Sequence, residues 1–210
     1  FFMDHHGFFI VFEGIDGAGK TSQLKRTKEY LESKGRTVTV TREPGGTPIG
    51  EKIRGLLLDT ANAAIDDTCE LLLYGASRRQ HIAEVILPAL NRGDVVLCDR
   101  FSLSTAAYQG YGRGIDLALI ADVNKIAAGD IVVDRTYVFD VPVEVSAERV
   151  RISRGDSGDR LEQENSAFFD KVRHGFLQEA AADKSIVVVD GTQKESAVFD
   201  AIQKDLEQLL

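Results

Sequence analysis

The chain has 210 residues, 43% hydrophobic and 28% charged, the make-up of one ordinary globular domain with a sizeable core. Its 33 acidic against 25 basic residues leave a formal net charge of -8, which argues against broad, sequence-independent binding to nucleic acid or to an anionic membrane. Cys69 and Cys98 lie far apart and form no disulfide framework, so a reducing cytoplasm is the expected setting.

No apolar stretch approaches the ~20 residues that span a bilayer, and the N-terminus lacks the basic region and apolar core of a signal peptide. Met3 is the only methionine, so Phe1 and Phe2 read as residues ahead of a native start. Asp4-His5-His6 stand at a terminus and receive no function. The domain is expected over 8–210, with 1–7 set apart as an N-terminal segment.

In chain order, Phe8 to Phe12 reads as a buried strand, and Thr21 to Ser33 as a helix that ends near Gly35. Between them runs Gly14-Ile15-Asp16-Gly17-Ala18-Gly19-Lys20-Thr21, a G-x-x-x-x-G-K-T loop. Its glycines let successive N–H groups point inward at an anion, and the following helix adds the positive end of its dipole. Lys20 then reaches the β- and γ-phosphates, and the Thr21 hydroxyl holds a Mg²⁺ bridging the same oxygens, which implies a nucleoside triphosphate. A dinucleotide-binding fingerprint fails here, because Ser22 stands where its third glycine belongs.

Thr37 to Thr41 alternates as a second strand, completing a βαβ unit, and Arg42-Glu43-Pro44-Gly45-Gly46 is a loop at its C-terminal end. Ligands bind at that end of open α/β sheets, so Arg42 and Glu43 are site candidates, a solvated turn being the alternative. Ile49 to Leu58 reads as a short helix carrying Arg54. Asp66 to Leu90 reads as a longer one, with apolar positions at Leu72, Leu73 and Ala76. Arg78 and Arg79 point about 100° apart on it, so at most one faces a site. Tyr74 and Arg78 share a helical face, either as an aromatic plate and charge for a base or as core packing with a snorkelling arginine.

Val95 to Cys98 is an apolar strand with a buried structural thiol, ending at Asp99-Arg100. An acid at that position, beside the strand that precedes the phosphate loop, is placed to act on Mg²⁺ or its water, with Arg100 in the same crevice. Phe101 to Tyr108 resumes as a helix, Gly110 to Gly114 is a flexible turn, and Ile115 to Ala128 is helical. Asn124-Lys125-Ile126-Ala127 approaches a guanine-binding N-K-x-D but has Ala127 in place of the acid and lies on a helix, so it is set aside. Thr136 to Asp140 is a fourth strand, and Pro142 to Ile152 a helix leading into Arg149, Arg151, Arg154 and Arg160 around the glycine-hinged 155–159 loop. This cluster is either an anion site on a mobile segment or a solvated charged face. Asn165 to Ala181 is helical, Ser185 to Val189 is a fifth strand, and Glu195 to Leu210 closes the chain as a helix.

Together, F-E-G-I-D-G-A-G-K-T at 12 to 21, T-R-E-P-G-G-T at 41 to 47 and D-R-F-S-L-S-T-A-A-Y-Q-G at 99 to 110 resemble bacterial thymidylate kinases over almost the whole chain. The resemblance implies an α/β P-loop kinase: a five-stranded parallel sheet flanked by helices, a small mobile lid at about 151–164, a homodimer built from helices, and phosphoryl transfer from MgATP to dTMP. It implies that Lys20 and Thr21 contact ATP and Mg²⁺, that Asp99 organises the metal shell, and that Asp16 lies by the dTMP sugar and phosphate. Glu43 and Arg54 fall on the acceptor side, with Arg54 and Arg100 as phosphate clamps. Tyr74 takes the place of a phenylalanine that stacks on thymine, and Arg78 that of a residue bonding the base. Thr105 and Gln109 line the thymine and deoxyribose pocket. Phe101 departs from the family's His or Tyr. The family carries a catalytic arginine in the P-loop or the lid. The loop here has none, so Arg154, then Arg151, is the expected lid residue, with Arg160 as an anchor. Two other readings remain: another nucleoside monophosphate or deoxynucleoside kinase, and a nucleotide-dependent switch.

Overall fold

A computed structural model describes residues 7–154 and 158–210, the side chain of Arg154 excepted. Phe1 to His6 and the Gly155-Asp156-Ser157 part of the expected hinge lie outside the described residues. The chain runs β1 (Phe8–Glu13), α1 (Lys20–Ser33), β2 (Val38–Arg42), α2 (Pro48–Leu58) and α3 (Asp67–His81). A π-helical stretch at Ile82–Ile86 carries α3 on into α4 (Leu87–Asn91). Then follow β3 (Val95–Asp99), α5 (Ser102–Thr105), a second π-helical stretch (Ala106–Gly112), α6 (Leu117–Ala128), β4 (Arg135–Asp140), α7 (Val143–Arg154), α8 (Ser166–Ala182), β5 (Ile186–Asp190) and α9 (Glu195–Leu209).

The five strands form one parallel sheet in the order β2-β3-β1-β4-β5, as the sequence leads one to expect. β1 is central and nearly wholly buried, because a parallel strand covered on both faces needs apolar side chains on both. Its alternate residues feed two cores. Ile10 and Phe12 pack with Leu24, Leu31, Phe176 and Ile202 on one face. Phe9 and Val11 pack with Ile82, Ile86 and Leu90 on the other. Each such fully buried side chain contributes ~1.5–3 kcal/mol of burial free energy.

The helices start where side-chain oxygens satisfy their first N–H groups: Thr47 on α2, Asp66 on α3 and Asn165 on α8. Register sets the C-terminal ends of the strands side by side, pairing Phe12 with Asp99 and Arg42 with Asp99. The loops after β1, β2 and β3 therefore converge on one crevice.

Two local expectations are corrected. The buried face of α3 is Glu70, Leu71, Gly75, Ser77, Arg78 and His81, while Leu72 is 56% exposed and Ala76 is also exposed. Adjacent apolar residues leave the phase of a helix ambiguous, and the packing partner chose Leu71. The expected turn from Gly110 is still helical as far as Gly112, where the close approach of Phe168 on α8 leaves no room for a Cβ.

Candidate active site

The P-loop wraps where only glycine fits. Gly14 has φ +130°, and a Cβ on it would lie 2.6 Å from the Phe139 carbonyl oxygen; Gly17 has φ +74°, with the Ser146 carbonyl oxygen at 2.7 Å. Ile15 and Ala18 are buried, Gly19 caps α1 with φ 100°, and Lys20 opens it. The ammonium of Lys20 is folded back, donating to the carbonyls of Gly14 (2.9 Å) and Ile15 (3.0 Å), with the Asp16 carboxylate 3.7 Å away. Burial lowers its pKa, and the charge of Arg100 adds to this against the opposing carboxylates of Asp16, Asp99 and Glu13.

A cleft of about 350 Å³ opens beside the loop at the ends of β1, β2 and β3. Asp16, Thr21 and Asp99 line it from the P-loop side. Glu43, Arg54, Tyr74, Arg78, Arg100, Thr105 and Gln109 line the remainder, so the residues singled out in the sequence on both sides meet in one space. Arg42 also reaches it, but is exposed and paired with Glu51 over 2.7 Å.

On one side of the cleft Arg78 is 1% exposed, whereas Arg79 is solvated, as adjacent positions on a helix require. Arg78 donates from Nε to Glu43 (2.8 Å), from Nη1 to Asn124 (2.7 Å) and from Nη2 to Thr105 (3.0 Å). His81 Nδ1 meets the other Glu43 oxygen at 2.9 Å. Glu43 therefore braces Arg78, and its own oxygens are engaged. Asn124, from the segment set aside as a broken guanine motif, holds the guanidinium in place. Arg54 donates to the Pro44 carbonyl (3.0 Å) at the rim.

Arg100 has φ +69°, rare outside glycine, and donates to Asp16 (2.7 Å) and Ser104 (3.1 Å). Glu13 pins that strained corner: its carboxylate accepts from the amides of Phe101 and Ser104 and from the Ser104 hydroxyl. Burial raises the Glu13 carboxyl to about 6 despite these bonds. Asp99 Oδ1 is buried and accepts no hydrogen bond among the described residues. With the Thr21 hydroxyl on the same cleft, this leaves an oxygen donor set suited to a hard cation such as Mg²⁺.

The four arginines expected near the lid do not form one cluster. Arg149 donates to the carbonyls of Gly17 (3.2 Å) and Gly191 (3.0 Å), stitching α7 to the P-loop. Arg151 is 64% exposed, pairs with Glu148 over 2.8 Å and lines neither this cleft nor the smaller one at the P-loop's outer side. Arg160 is buried on Glu70. The backbone of Arg154 ends α7, and its side chain lies outside the described residues. No role is assigned from sequence to Glu13, Glu70 or His81, and Asn124 is set aside with the broken guanine motif. Their only signal was polarity on otherwise buried faces, which does not reveal a partner 35 or more residues away.

The thymidylate kinase family model matches residues 12–202. The thymidylate kinase of Citrifermentans bemidjiense is 48% identical over 212 residues, covering 97% of this chain and 94% of that protein. That of Geobacter sulfurreducens is 48% identical over 201 residues, covering 93% and 94%. The crystal structure of thymidylate kinase from Ehrlichia chaffeensis superimposes with a TM-score of 0.77 at 35% identity, covering 95% of this chain and 98% of that one. The match runs through the P-loop, the cleft and the sheet alike, and the chain belongs to the thymidylate kinase family.

Proposed function

We propose that the cleft holds dTMP with its phosphate toward the P-loop, and that this chain transfers the γ-phosphoryl group of ATP to it, giving dTDP and ADP. Family membership carries the reaction class and both substrates. The observation that supports the assignment of residues is the single cleft shared by Asp16 and Thr21 of the P-loop with Arg54, Tyr74, Arg78 and Arg100.

In this reading an oxygen of the dTMP phosphate attacks the γ-phosphorus in line, and the bond to the β–γ bridging oxygen breaks. The acceptor is already ionised, so no general base is needed, and the rate comes from positioning and charge cancellation. Lys20 leaves the loop carbonyls for the donor phosphates, while the amides of Gly14 to Thr21 cradle them. Arg54 and Arg100 clamp the acceptor phosphate, and Asp16 holds Arg100 toward it. Tyr74 stacks on thymine, Arg78 bonds its edge, and Thr105 and Gln109 border the sugar and base. Thr21 and Asp99 would hold Mg²⁺, which supplies charge neutralisation across the phosphates when bound.

The lid spans about 151–164, and Arg154 brings the remaining cation to the transferred group. The working form is a homodimer: α3 and α6 pack together, and both leave apolar side chains exposed, among them Leu72, Leu119 and Ile126. The protein acts in the cytoplasm, in keeping with its free cysteines and with the absence, among the described residues, of any helix long and apolar enough to cross a membrane.

Turnover with ATP on dTMP, dUMP, UMP, CMP and thymidine tests the reading. dTMP should be the best acceptor. Preference for thymidine, or ATP hydrolysis indifferent to dTMP, would overturn it. Sedimentation showing a monomer at micromolar concentration would overturn the dimer.

A further inference from the structure

The turn at the C-terminal end of the proposed lid forms one wall of the cleft, to which it contributes Asp159, Leu161 and Glu162. It is gripped at both ends by charge. At its start the Arg160 amide donates to the Leu58 carbonyl (3.0 Å), Nε to the Leu57 carbonyl (2.8 Å) and Nη2 to Glu70. At its end Glu164 accepts from Arg113 Nη1, and the Arg113 guanidinium lies 4.9 Å from the centre of the Phe168 ring while its Nε faces Glu70 at 3.4 Å. Arg160, Glu70, Arg113 and Glu164 thus form a chain of alternating sign that closes over the 160–164 turn.

Glu70 is the middle of that chain. It is fully buried in the first turn of α3, where the helix dipole favours a carboxylate. Gln109, itself in the cleft, donates to it over 2.7 Å. Burial opposes its ionisation, yet the bonds from Gln109 and Arg160 and the nearby arginine charges hold its carboxyl below the ordinary range. A buried carboxylate drawing donors from two segments, Gln109 with Arg113 and the turn that holds Arg160, both of which line the cleft, fixes their relative placement.

We propose that Glu70 is a positioning residue for the acceptor: through Arg160 and Arg113 it clamps both ends of the 160–164 turn against the cleft, and through Gln109 it ties that wall to the pocket interior. The inference rests on the reading that the cleft takes dTMP. It assigns the clamp to acceptor affinity alone, because no member of it touches the P-loop.

The test is a double-mutant cycle on dTMP affinity by calorimetry, using Glu70→Gln, Arg160→Met and the pair, alongside KM for ATP. Each single change should raise the dTMP Kd about tenfold, with KM for ATP within about twofold of wild type. The pair should be no weaker than the worse single, because both remove one clamp. Additive losses, an unchanged dTMP Kd, or parallel shifts in both substrates would overturn the proposal. If Glu70→Gln does not fold, Glu164→Gln at the partly exposed end of the chain decides. A dTMP Kd raised about threefold with an unchanged ligand-free Tm supports the clamp, and an unchanged Kd overturns it. A wild type that binds no dTMP refutes the acceptor reading, and the inference with it. Additivity in a wild type that does bind refutes the inference alone.

Discussion

The Arg78 guanidinium and the Glu43 carboxylate form an ion pair that is closed to solvent, with Nε 2.8 Å from Oε2 and side chains 2% and 3% exposed. The pair joins α3 to the loop after β2. Removing one partner leaves the other as an uncompensated buried charge, which costs about 3–5 kcal/mol. Glu43→Gln should therefore lower the unfolding free energy by about that amount and weaken dTMP binding, since Arg78 loses its brace. Urea unfolding of the variant checks this, and a loss under about 1 kcal/mol would overturn it.

The Lys20 ammonium is held by the P-loop carbonyls of Gly14 and Ile15, and in the proposed reaction it serves the donor phosphates. Lys20→Ala should abolish most turnover while dTMP still binds. A titration in which dTMP affinity falls in step with activity would show that the two sites are not separate.

Tyr74 lines the cleft four residues before Arg78. Tyr74→Ala should weaken dTMP binding by ~1–3 kcal/mol, the range for truncating a stacking partner of a base. ATP affinity should stay level. Calorimetry giving wild-type dTMP affinity would return the ring to core packing.

Arg154 ends α7, inside the proposed lid, whereas Arg151 pairs with Glu148 and lines neither cleft. An arginine that bridges transferring oxygens contributes ~10³–10⁵ in turnover, so Arg154→Ala should cut kcat by about 10³ or more and spare dTMP binding. Lysine should rescue poorly, lacking the planar fork. Arg151→Ala should lose less than about tenfold. Comparable kcat in the two alanine variants would refute the assignment.

Burial raises the Glu13 carboxyl from 4.5 to about 6. A folded pKa above the unfolded one means the native state binds more protons in that window. The contribution of Glu13 is therefore whole below pH 4.5 and lost as pH rises through 6, a change of about 2 kcal/mol. Glu13→Gln keeps an oxygen for the amides of Phe101 and Ser104 and removes the titration. Relative to this variant, wild type should lose about 2 kcal/mol between pH 4.5 and about pH 7 in urea unfolding. Parallel stability profiles would exclude the effect.

The sequence by itself determined the strands, most of the helices and the P-loop, because each depends on neighbours a few residues apart. The apolar run from Phe8 to Phe12 reads as a buried strand, and the glycines of the loop allow the tight wrap in which Gly14 and Gly17 have no room for a Cβ. Helical geometry separated Arg78 from Arg79 before any packing was known. Only the tertiary structure decided the phase of α3, where Leu71 and Leu72 serve periodicity equally well and the packed surface admits one of them. It also dispersed the arginines. Arg149 is claimed by Gly17 and Gly191, and Arg160 by Glu70, which lies 90 residues away. Glu43, Asn124 and Thr105 converge on Arg78 from 35, 46 and 27 residues away. A buried charge takes whatever partner the folded chain brings within about 3 Å, and no local pattern encodes that choice.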